Sequence, residues 1–245
     1  SDVKSLLEFA ESSLSLSGSI KSLLCHYRSE YAELIEFSNK KIYKNQLVIP
    51  PSAISLDASK CIEYHYLDHS KSSYKTGLTT NMGEINAIKS WLENFVSIDK
   101  NHEKSILIVA MNKNQQENIE ILIEQLRSES NNFRKYFDFW ENKKNGVDQL
   151  IVQNLESVQG DERDIVIVST VYGPVDGQVF QRFGDINKEV GYKRINVMIT
   201  RQRSKLVIFT SLKHTDILNP KTRGLETFKD FLYFVENKSL PLSPD

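Results

Sequence analysis

Three short runs of branched apolar residues form the clearest pattern in the chain. They are Ile106–Ala110, Ile165–Val168 and Leu206–Phe209. Because each run is continuously apolar, it predicts a strand covered on both faces, as in a parallel sheet. Two further strands are predicted at Leu150–Val152 and Ile62–Tyr66, and the alternating pattern of the second indicates a more exposed strand.

Apolar residues at helical spacing lie between these runs. One stripe follows a capping signal in which Asn81 is the N-cap and Glu84 its reciprocal partner. The two clearest stripes consist of Ile85, Ile88, Leu92, Phe95 and Val96, then Ile119, Leu122, Ile123 and Leu126. A last helix is predicted from about Leu225 to Val235. This alternation predicts one α/β domain over residues 1–245, with a mainly parallel sheet flanked by helices.

Two regions interrupt the alternation. Residues 131–148 are aromatic and then polar, and residues 172–192 contain four glycines and are predicted to form a long loop. The aromatic residues of the first region are Phe133, Tyr136, Phe137, Phe139 and Trp140. They could stack on the bases of a single strand. Such density more often packs a helix onto a core, and this second interpretation is favoured.

Composition narrows the class of protein. The net charge is −1, so no overall positive field indicates nucleic acid, although local groups could still bind it. Cys25 and Cys61 lie far apart without a Cys-x-x-Cys pair, which favours a reducing compartment and argues against a zinc ribbon. No apolar run approaches the length of a membrane span, and no signal peptide begins the chain. We expect a cytoplasmic piece of a longer protein with no membrane partner.

A turn rich in carboxylates precedes one of the predicted strands. It runs from Gln159 through Gly160 to Asp164, and Ser157 lies just before it. Carboxylates here could bind a ribose hydroxyl or hold an arginine, while Ser157 and Gln159 could donate hydrogen bonds to phosphate. An ordinary polar turn is an equally good interpretation of this segment taken alone.

A cluster of arginines precedes the last predicted strand. A helix beginning near Gly191 would place Arg194, Arg201 and Arg203 on or near its polar side and aim cations at an edge of the sheet, where open α/β folds bind ligands. The planar guanidinium suits phosphate because it offers two donors and a permanent charge. Taken alone, Arg201 is more simply a solvated surface charge.

A third segment carries Arg28 directly after His26 and Tyr27. Arg28 is predicted to lie at a strand-to-helix junction, where an ordinary salt bridge is the simplest role for it. His26 is interpreted as a packing residue rather than a base.

Together these segments resemble the motifs of superfamily 1 helicases. The block from Gln159 to Asp164 is similar to the fifth motif of these proteins, and the block from Arg194 to Arg203 to the sixth. The segment Leu24-Cys-His-Tyr-Arg-Ser29 resembles an earlier block of bacterial members related to the nonsense-mediated-decay helicase group. The resemblance extends over roughly residues 1–238, with the motifs in the order of the family. It implies the C-terminal, second RecA-like motor domain of such a helicase.

The resemblance also implies roles for individual residues. Arg28 and Arg201 correspond to the two arginines that reach the γ-phosphate of ATP. Glu162, with Gly160 and Arg203, corresponds to the nucleotide-contacting set. Ser157, Gln159 and Gln115 correspond to contacts with nucleic acid.

Two departures from the family pattern bear on these roles. The fourth motif usually reads Thr-Pro-Tyr-x-x-Gln, but here it is Ala110-Met-Asn-Lys-Asn-Gln115, which keeps only the glutamine. The usual threonine and tyrosine contacts are therefore in doubt. Gln202 stands where the family commonly has alanine between the arginines of the sixth motif.

The chain has no Gly-x-x-x-x-Gly-Lys-Ser/Thr phosphate loop. The resemblance therefore implies that ATP and Mg²⁺ are held mainly by a first RecA-like domain of the same parent chain. It implies single-stranded nucleic acid as the other partner, with DNA favoured over RNA. We expect the chain alone to have negligible ATPase activity.

Two other classes of function stay open. A catalytically silent RecA-like domain could bind nucleic acid or a partner, although Arg28, Glu162 and Arg201 argue against it. A doubly wound enzyme for small nucleotides should show a glycine-rich turn after its first strand, and none occurs. His65 and His69 have metal-ligand spacing for a helix, but they end a predicted strand, so no metal site is predicted.

Overall fold

A computed structural model describes residues 25, 26, 28–49, 58–68, 70–158 and 160–240. Its strands are β1 (Ile62–Tyr66), β2 (Tyr74–Lys75), β3 (Thr80–Asn81), β4 (Ile106–Ala110), β5 (Ile151–Asn154), β6 (Arg163–Ser169) and β7 (Gln202–Thr210). Its helices are α1 (Glu33–Lys41), α2 (Ala58–Cys61), α3 (Met82–Val96), α4 (Lys113–Glu129), α5 (Asn131–Lys144), α6 (Gly191–Met198) and α7 (Arg223–Asn237). Short 3₁₀ turns lie at Asp99–Glu103, Gly184–Asn187 and His214–Asp216.

Five of the strands form one parallel sheet in the order β1-β7-β6-β4-β5. All five predicted strands are found, and β1 and β4 have the predicted bounds. β2 and β3 form a small separate antiparallel pair. The predicted α/β fold with a mainly parallel sheet flanked by helices is therefore confirmed.

Helices cover both faces of the sheet. Along β4, Leu107 and Val109 face a core formed with α1, α6 and α7. Ile106 and Ile108 face a second core, formed with α3, α4 and α5. This arrangement explains why the strand is continuously apolar, since successive side chains enter opposite cores.

Helix α5 occupies the aromatic region, as the favoured interpretation of a helix packed onto the core predicts. Its buried side chains Phe133, Tyr136, Phe137 and Trp140 recur at helical spacing and pack into the second core. The Tyr136 hydroxyl donates a hydrogen bond to the Lys104 carbonyl at 3.1 Å. The interpretation as core packing is confirmed, and these rings are unavailable for stacking on bases.

The predicted cap of α3 is half right. Asn81 Oδ1 accepts a hydrogen bond from the Glu84 backbone N–H at 3.3 Å, so Asn81 is the N-cap. Glu84 is not its reciprocal partner, because the Asn81 N–H donates to Gln115 Oε1 instead. The Glu84 carboxylate is fully buried and accepts from Ser169 Oγ at 2.6 Å and from the Val171 N–H at 2.9 Å. The Glu84 carboxylate therefore binds donors at the carboxyl end of β6 instead of the backbone N–H of Asn81.

The loop at residues 172–192 is irregular apart from a tight bridged turn at Val175–Gln178, the turn Gly184–Asn187 and the start of α6. Gly224, at the start of α7, lies against this turn. A Cβ atom at Gly224 would lie 2.1 Å from the Ile186 carbonyl oxygen, so a side chain there would push α7 away. This close approach fixes the position of α6, the helix that leads to the arginine cluster.

Among the described residues, no helix is long and apolar enough to cross a membrane. His65 lies in β1 with its ring stacked on Phe209 at 4.6 Å between centroids, whereas His69 lies outside the described residues. In the part of the chain that the structure describes, no group of three or more His, Cys, Asp or Glu residues could hold a metal ion.

Candidate phosphate-contacting site

The arginine cluster lies at the amino ends of two neighbouring strands. Arg163 begins β6 and Gln202 begins β7, and the two residues are paired in the sheet. Arg201 and Glu162 directly precede these strands. The cations were predicted at the edge where open α/β folds bind ligands, which is the carboxyl edge. That placement is wrong, because α6 ends at Met198 and the chain enters β7 directly after Arg201.

Glu162 joins two of the predicted residues. Arg28 Nε donates to Glu162 Oε2 at 2.5 Å, and Arg203 Nη2 donates to Glu162 Oε1 at 3.2 Å. These two guanidinium groups, Arg28 first, hold the pKa of Glu162 below its usual range. Glu162 is therefore an anion whose charge is balanced within the protein.

Arg28 is held on a tight turn. Its Nη1 donates to the Thr200 carbonyl at 3.0 Å, which brings the turn against the segment that carries Arg201. His26 Nε2 accepts a hydrogen bond from the Ser29 N–H at 3.1 Å and so closes the turn around Arg28. Burial, with a contribution from Arg28, lowers the pKa of His26. His26 was predicted as a packing residue, and the structure shows it instead as a half-buried hydrogen-bond acceptor.

Arg201 differs from its neighbours in its electrostatic surroundings. Its Nε donates to the Val197 carbonyl at 2.9 Å, and the side chain is half-buried. Within residues 25–26, 28–49, 58–68, 70–158 and 160–240, no carboxylate forms an ion pair with it. Burial and then the charge of Arg28 lower its pKa. Arg201 is a partly desolvated cation that lacks a paired carboxylate among these residues.

Arg28 and Arg201 line one cavity of about 250 Å³. Thr200, Asn196 and Tyr43 also line it, and Asn196 Nδ2 donates to the Tyr43 hydroxyl at 3.0 Å. Two guanidinium groups with hydroxyl and amide donors form a chemical set suited to phosphate. Tyr43 was not predicted as a site residue, although the segment Tyr43-Lys-Asn-Gln-Leu47 belongs with Arg28 to the first block of the family resemblance.

A second layer of charge supports the cluster. Arg203 also approaches Asp148, with Nη2 at 3.4 Å from Oδ2. Arg163 is nearly buried, and its Nη1 lies 3.3 Å from Asp148 Oδ1 and 3.7 Å from Asp161 Oδ1. The pairs tie Arg203 into the protein, so it supports the site rather than presenting a free cation. Asp148 was not predicted, since it lies in an irregular segment that no motif covers.

The turn before β6 contains the predicted Gly160. Its φ angle is +98°, in the region that favours glycine, and a Cβ atom there would meet nothing within 4 Å. Gln159 lies outside the described residues. Ser157 is exposed in the turn after β5, where its Oγ accepts from the Asn154 N–H at 3.1 Å.

Gln115 does not lie where the sequence analysis placed it. Its side chain is fully buried: Oε1 accepts from the Asn81 N–H, and Nε2 donates to the Asn81 carbonyl at 3.1 Å and to Ser169 Oγ at 3.0 Å. A nucleic acid on the surface cannot reach this amide. The expected direct contact is therefore corrected to an internal role at the carboxyl edge of the sheet.

Comparisons with known proteins define the class. The sequence profile of the AAA domain family matches residues 4–213, and the chain therefore belongs to the AAA domain family. It is 32% identical over 216 residues to an uncharacterized ATP-dependent helicase of Mycoplasma genitalium, MG140. It is 32% identical over the same length to the Mycoplasma pneumoniae homologue. These alignments cover 86% of the chain but only 18% of each relative, so the chain spans less than a fifth of their length.

Among solved structures, the C-terminal domain of a possible DNA helicase from Lactobacillus plantarum WCFS1 aligns with this chain. The TM-score is 0.36 and the sequence identity 11%, over 75% of this chain and 86% of that one.

Proposed function

We propose that the chain is the second RecA-like motor domain of an ATP-dependent superfamily 1 helicase or translocase. In this proposal a first domain of the same parent protein holds most of the ATP, and this domain supplies arginines to the γ-phosphate across the interface. Two relatives named as ATP-dependent helicases support the proposal, as does the order of the sequence motifs.

The observation that carries the proposal is the charge of Arg201. Partial burial of a guanidinium group without a paired carboxylate costs free energy unless an anion binds to it. The positive charge of Arg28 raises this cost further, and Glu162 offsets part of it without pairing directly with Arg201. A phosphate at the mouth of the cavity would offset both charges through bidentate hydrogen bonds. The residues present therefore fit a polyphosphate.

The four charged residues have distinct tasks in this proposal. Arg201 stabilises the negative charge that develops on the transferred phosphoryl group, an effect of ~10³–10⁵ in rate for arginine fingers. Arg28 contributes a second guanidinium, and Glu162 orients it. Arg203 holds Glu162 in place from the other side. Mg²⁺ would neutralise charge on the phosphates, and we assign its ligands to the first domain.

Nucleic acid would bind at the opposite edge of the sheet. Ser157 follows the carboxyl end of β5, while Glu162 precedes the amino end of β6. The short segment between them crosses the sheet, with Leu155 and Val158 buried in the core. In this proposal Ser157 and Gln159 contact the single-stranded nucleic acid, and Glu162 contacts the nucleotide. Movement of the segment between them could couple the two contacts. Single-stranded DNA is the proposed partner ahead of RNA, and the cytoplasm the proposed location.

The test compares the chain alone with the full-length protein that contains it. We expect negligible ATPase activity from the chain alone, and ATPase activity stimulated by single strands from the full-length protein. Displacement of streptavidin from a biotinylated oligonucleotide should depend on ATP. Nucleic-acid binding without ATP turnover in the full-length protein would instead identify a silent RecA-like scaffold, and substantial turnover by the chain alone would contradict the proposed division of the site.

A further inference from the structure

An exposed turn at residues 75–79 projects from the carboxyl edge of the sheet. It joins β2 to β3, and Lys75, Thr76, Gly77 and Leu78 are all exposed. Leu78 is 60% exposed. Residues 70–80 contain two lysines and several hydroxyl side chains but no carboxylate, in a chain whose net charge is −1.

We propose that this turn, residues 75–79, is a contact site for the sugar-phosphate backbone of single-stranded nucleic acid. The inference rests on the proposed function and extends it to a surface that no motif covers. Lysine, hydroxyl groups and accessible backbone N–H groups are the usual contacts to phosphate. At Gly77, a Cβ atom would meet nothing within 4 Å, so a strand can approach the backbone closely. Leu78 adds an exposed apolar side chain to the same turn.

The first turn of α4 holds this turn in one conformation. Asn112 Nδ2 donates to the Thr79 carbonyl at 2.9 Å. Asn114 Nδ2 donates to the Leu78 carbonyl and to Thr79 Oγ1, each at 2.9 Å. Thr79 has a φ angle of +48°, which a β-branched residue rarely adopts, so these bonds stabilise a strained backbone. A preorganised turn binds with a smaller loss of conformational entropy.

The same helical turn also holds the segment that contains Ser157. Asn154 Nδ2 donates to Gln116 Oε1 at 2.6 Å, and Asn154 Oδ1 accepts from the Ser157 N–H at 3.2 Å. The turn at 75–79 and the turn at Ser157 therefore flank the start of α4 on one edge of the sheet. Lys113 is exposed between them, and Glu117 partly balances it at 3.7 Å. We therefore expect a single strand that contacts Ser157 to continue along this edge to the turn at 75–79.

This arrangement accounts for the departure in the fourth motif. Asn112, Asn114 and Gln115 occupy the motif, and their amides donate hydrogen bonds to residues 79, 78 and 81 respectively. The turn that they hold then supplies the contact with nucleic acid. In this proposal the fourth-motif segment holds the turn at residues 75–79 in place and does not itself contact the nucleic acid.

The experiment measures binding of the full-length protein to a fluorescein-labelled oligothymidylate across a range of salt concentrations. Each phosphate contact on a single strand contributes about 0.7 to the slope of log affinity against log salt. Lys75→Ala should therefore reduce the slope by about 0.7 and weaken binding about threefold to tenfold at low salt. Lys100→Ala is the matched control, because Lys100 is exposed in the turn Asp99–Glu103 after α3, away from the carboxyl edge. Its slope should match that of the wild type.

A second measurement does not depend on charge. Leu78→p-benzoylphenylalanine should crosslink to the oligothymidylate on irradiation, whereas the same substitution at exposed Ile98 should not. A wild-type slope for Lys75→Ala, together with no crosslink at position 78 in protein that binds normally, would overturn this inference and leave the proposed function intact. Failure of the wild-type protein to bind any single strand would reject the proposed function itself, and this inference with it.

Discussion

Arg28 Nε and Glu162 Oε2 lie 2.5 Å apart although 134 positions separate them in the chain. The pair joins the segment before α1 to the turn before β6 and places both beside Arg201. One arginine of the cluster is thus balanced by a carboxylate and the other is not. This asymmetry distinguishes the site from an ordinary network of surface salt bridges, in which opposite charges pair throughout.

Because Glu162 is paired with two arginines, we expect its contribution to the free energy of unfolding to depend on pH in the acidic range. Glu162→Gln should lower the free energy of unfolding by about 1 kcal/mol at neutral pH, because Arg28 and Arg203 lose their carboxylate at a partly solvated site. The folded-state pKa of Glu162 lies below the ordinary value of 4.5, so its contribution is present above pH 4.5 and is lost as the pH falls through the folded-state pKa. Urea unfolding of both proteins across this range measures the difference.

The difference in stability between wild type and Glu162→Gln should therefore shrink as the solution becomes more acidic. A difference that stays constant across the acidic range would show that Glu162 gains nothing from its ionised state. In that case the contacts with Arg28 and Arg203 would contribute only packing.

For Glu84 we expect the opposite dependence of stability on pH. Burial raises the pKa of Glu84 to about 7, against hydrogen bonds from Ser169, Val171, Thr170 and Ser211 that lower it. Since the folded protein binds this proton more tightly than the unfolded chain, its stability should fall as the pH rises from 4.5 to 7. Glu84→Gln removes the titration, although its amide N–H₂ leaves a donor poorly matched at a cost of about 1–3 kcal/mol.

The measurement is urea unfolding of wild type and Glu84→Gln at several pH values. The variant should be less stable at pH 4.5, and its deficit should shrink by an amount on the order of 1–3 kcal/mol by pH 7 or above. A deficit that grows with pH would mean that the hydrogen bonds outweigh burial and keep Glu84 ionised.

A side chain at Gly160 should strain the backbone of the turn that leads to Glu162. With φ at +98°, Gly160→Ala should destabilise the protein by about 1–2 kcal/mol, because an L-residue strains there whatever space surrounds it. Gly77→Ala is the control, since its Cβ atom also meets nothing within 4 Å and its φ angle is not positive. Equal effects of the two substitutions in urea unfolding would contradict the assignment of strain to Gly160.

Much of the fold could be predicted from local patterns. The runs at β4, β6 and β7 are continuously apolar because both faces of the sheet are covered, and the pattern alone indicates that. The aromatic region was predicted to pack a helix onto the core, and α5 confirms it. The spacing of Phe133, Tyr136, Phe137 and Trp140 is helical, which is the pattern of a helix with one buried face.

The site was less predictable, for tertiary reasons. The sequence brought Arg28, Glu162, Arg201 and Arg203 together only through the family resemblance, and the structure places these four side chains in one cluster. No local rule could reveal that Gln115 and Glu84 point inward, because their partners come from the ends of β6 and β7. The edge of the sheet was also mistaken, although residues that directly precede a strand lie at its amino end.

The central claim is that Arg201 acts on the γ-phosphate, and ATPase activity of the full-length protein in the presence of single strands tests it most directly. Arg201→Ala should reduce turnover by ~10³-fold or more while nucleotide binding is largely retained. Arg134→Ala, which removes an exposed arginine of α5, should leave turnover unchanged. Wild-type turnover in Arg201→Ala would contradict the account and leave Arg201 a structural cation.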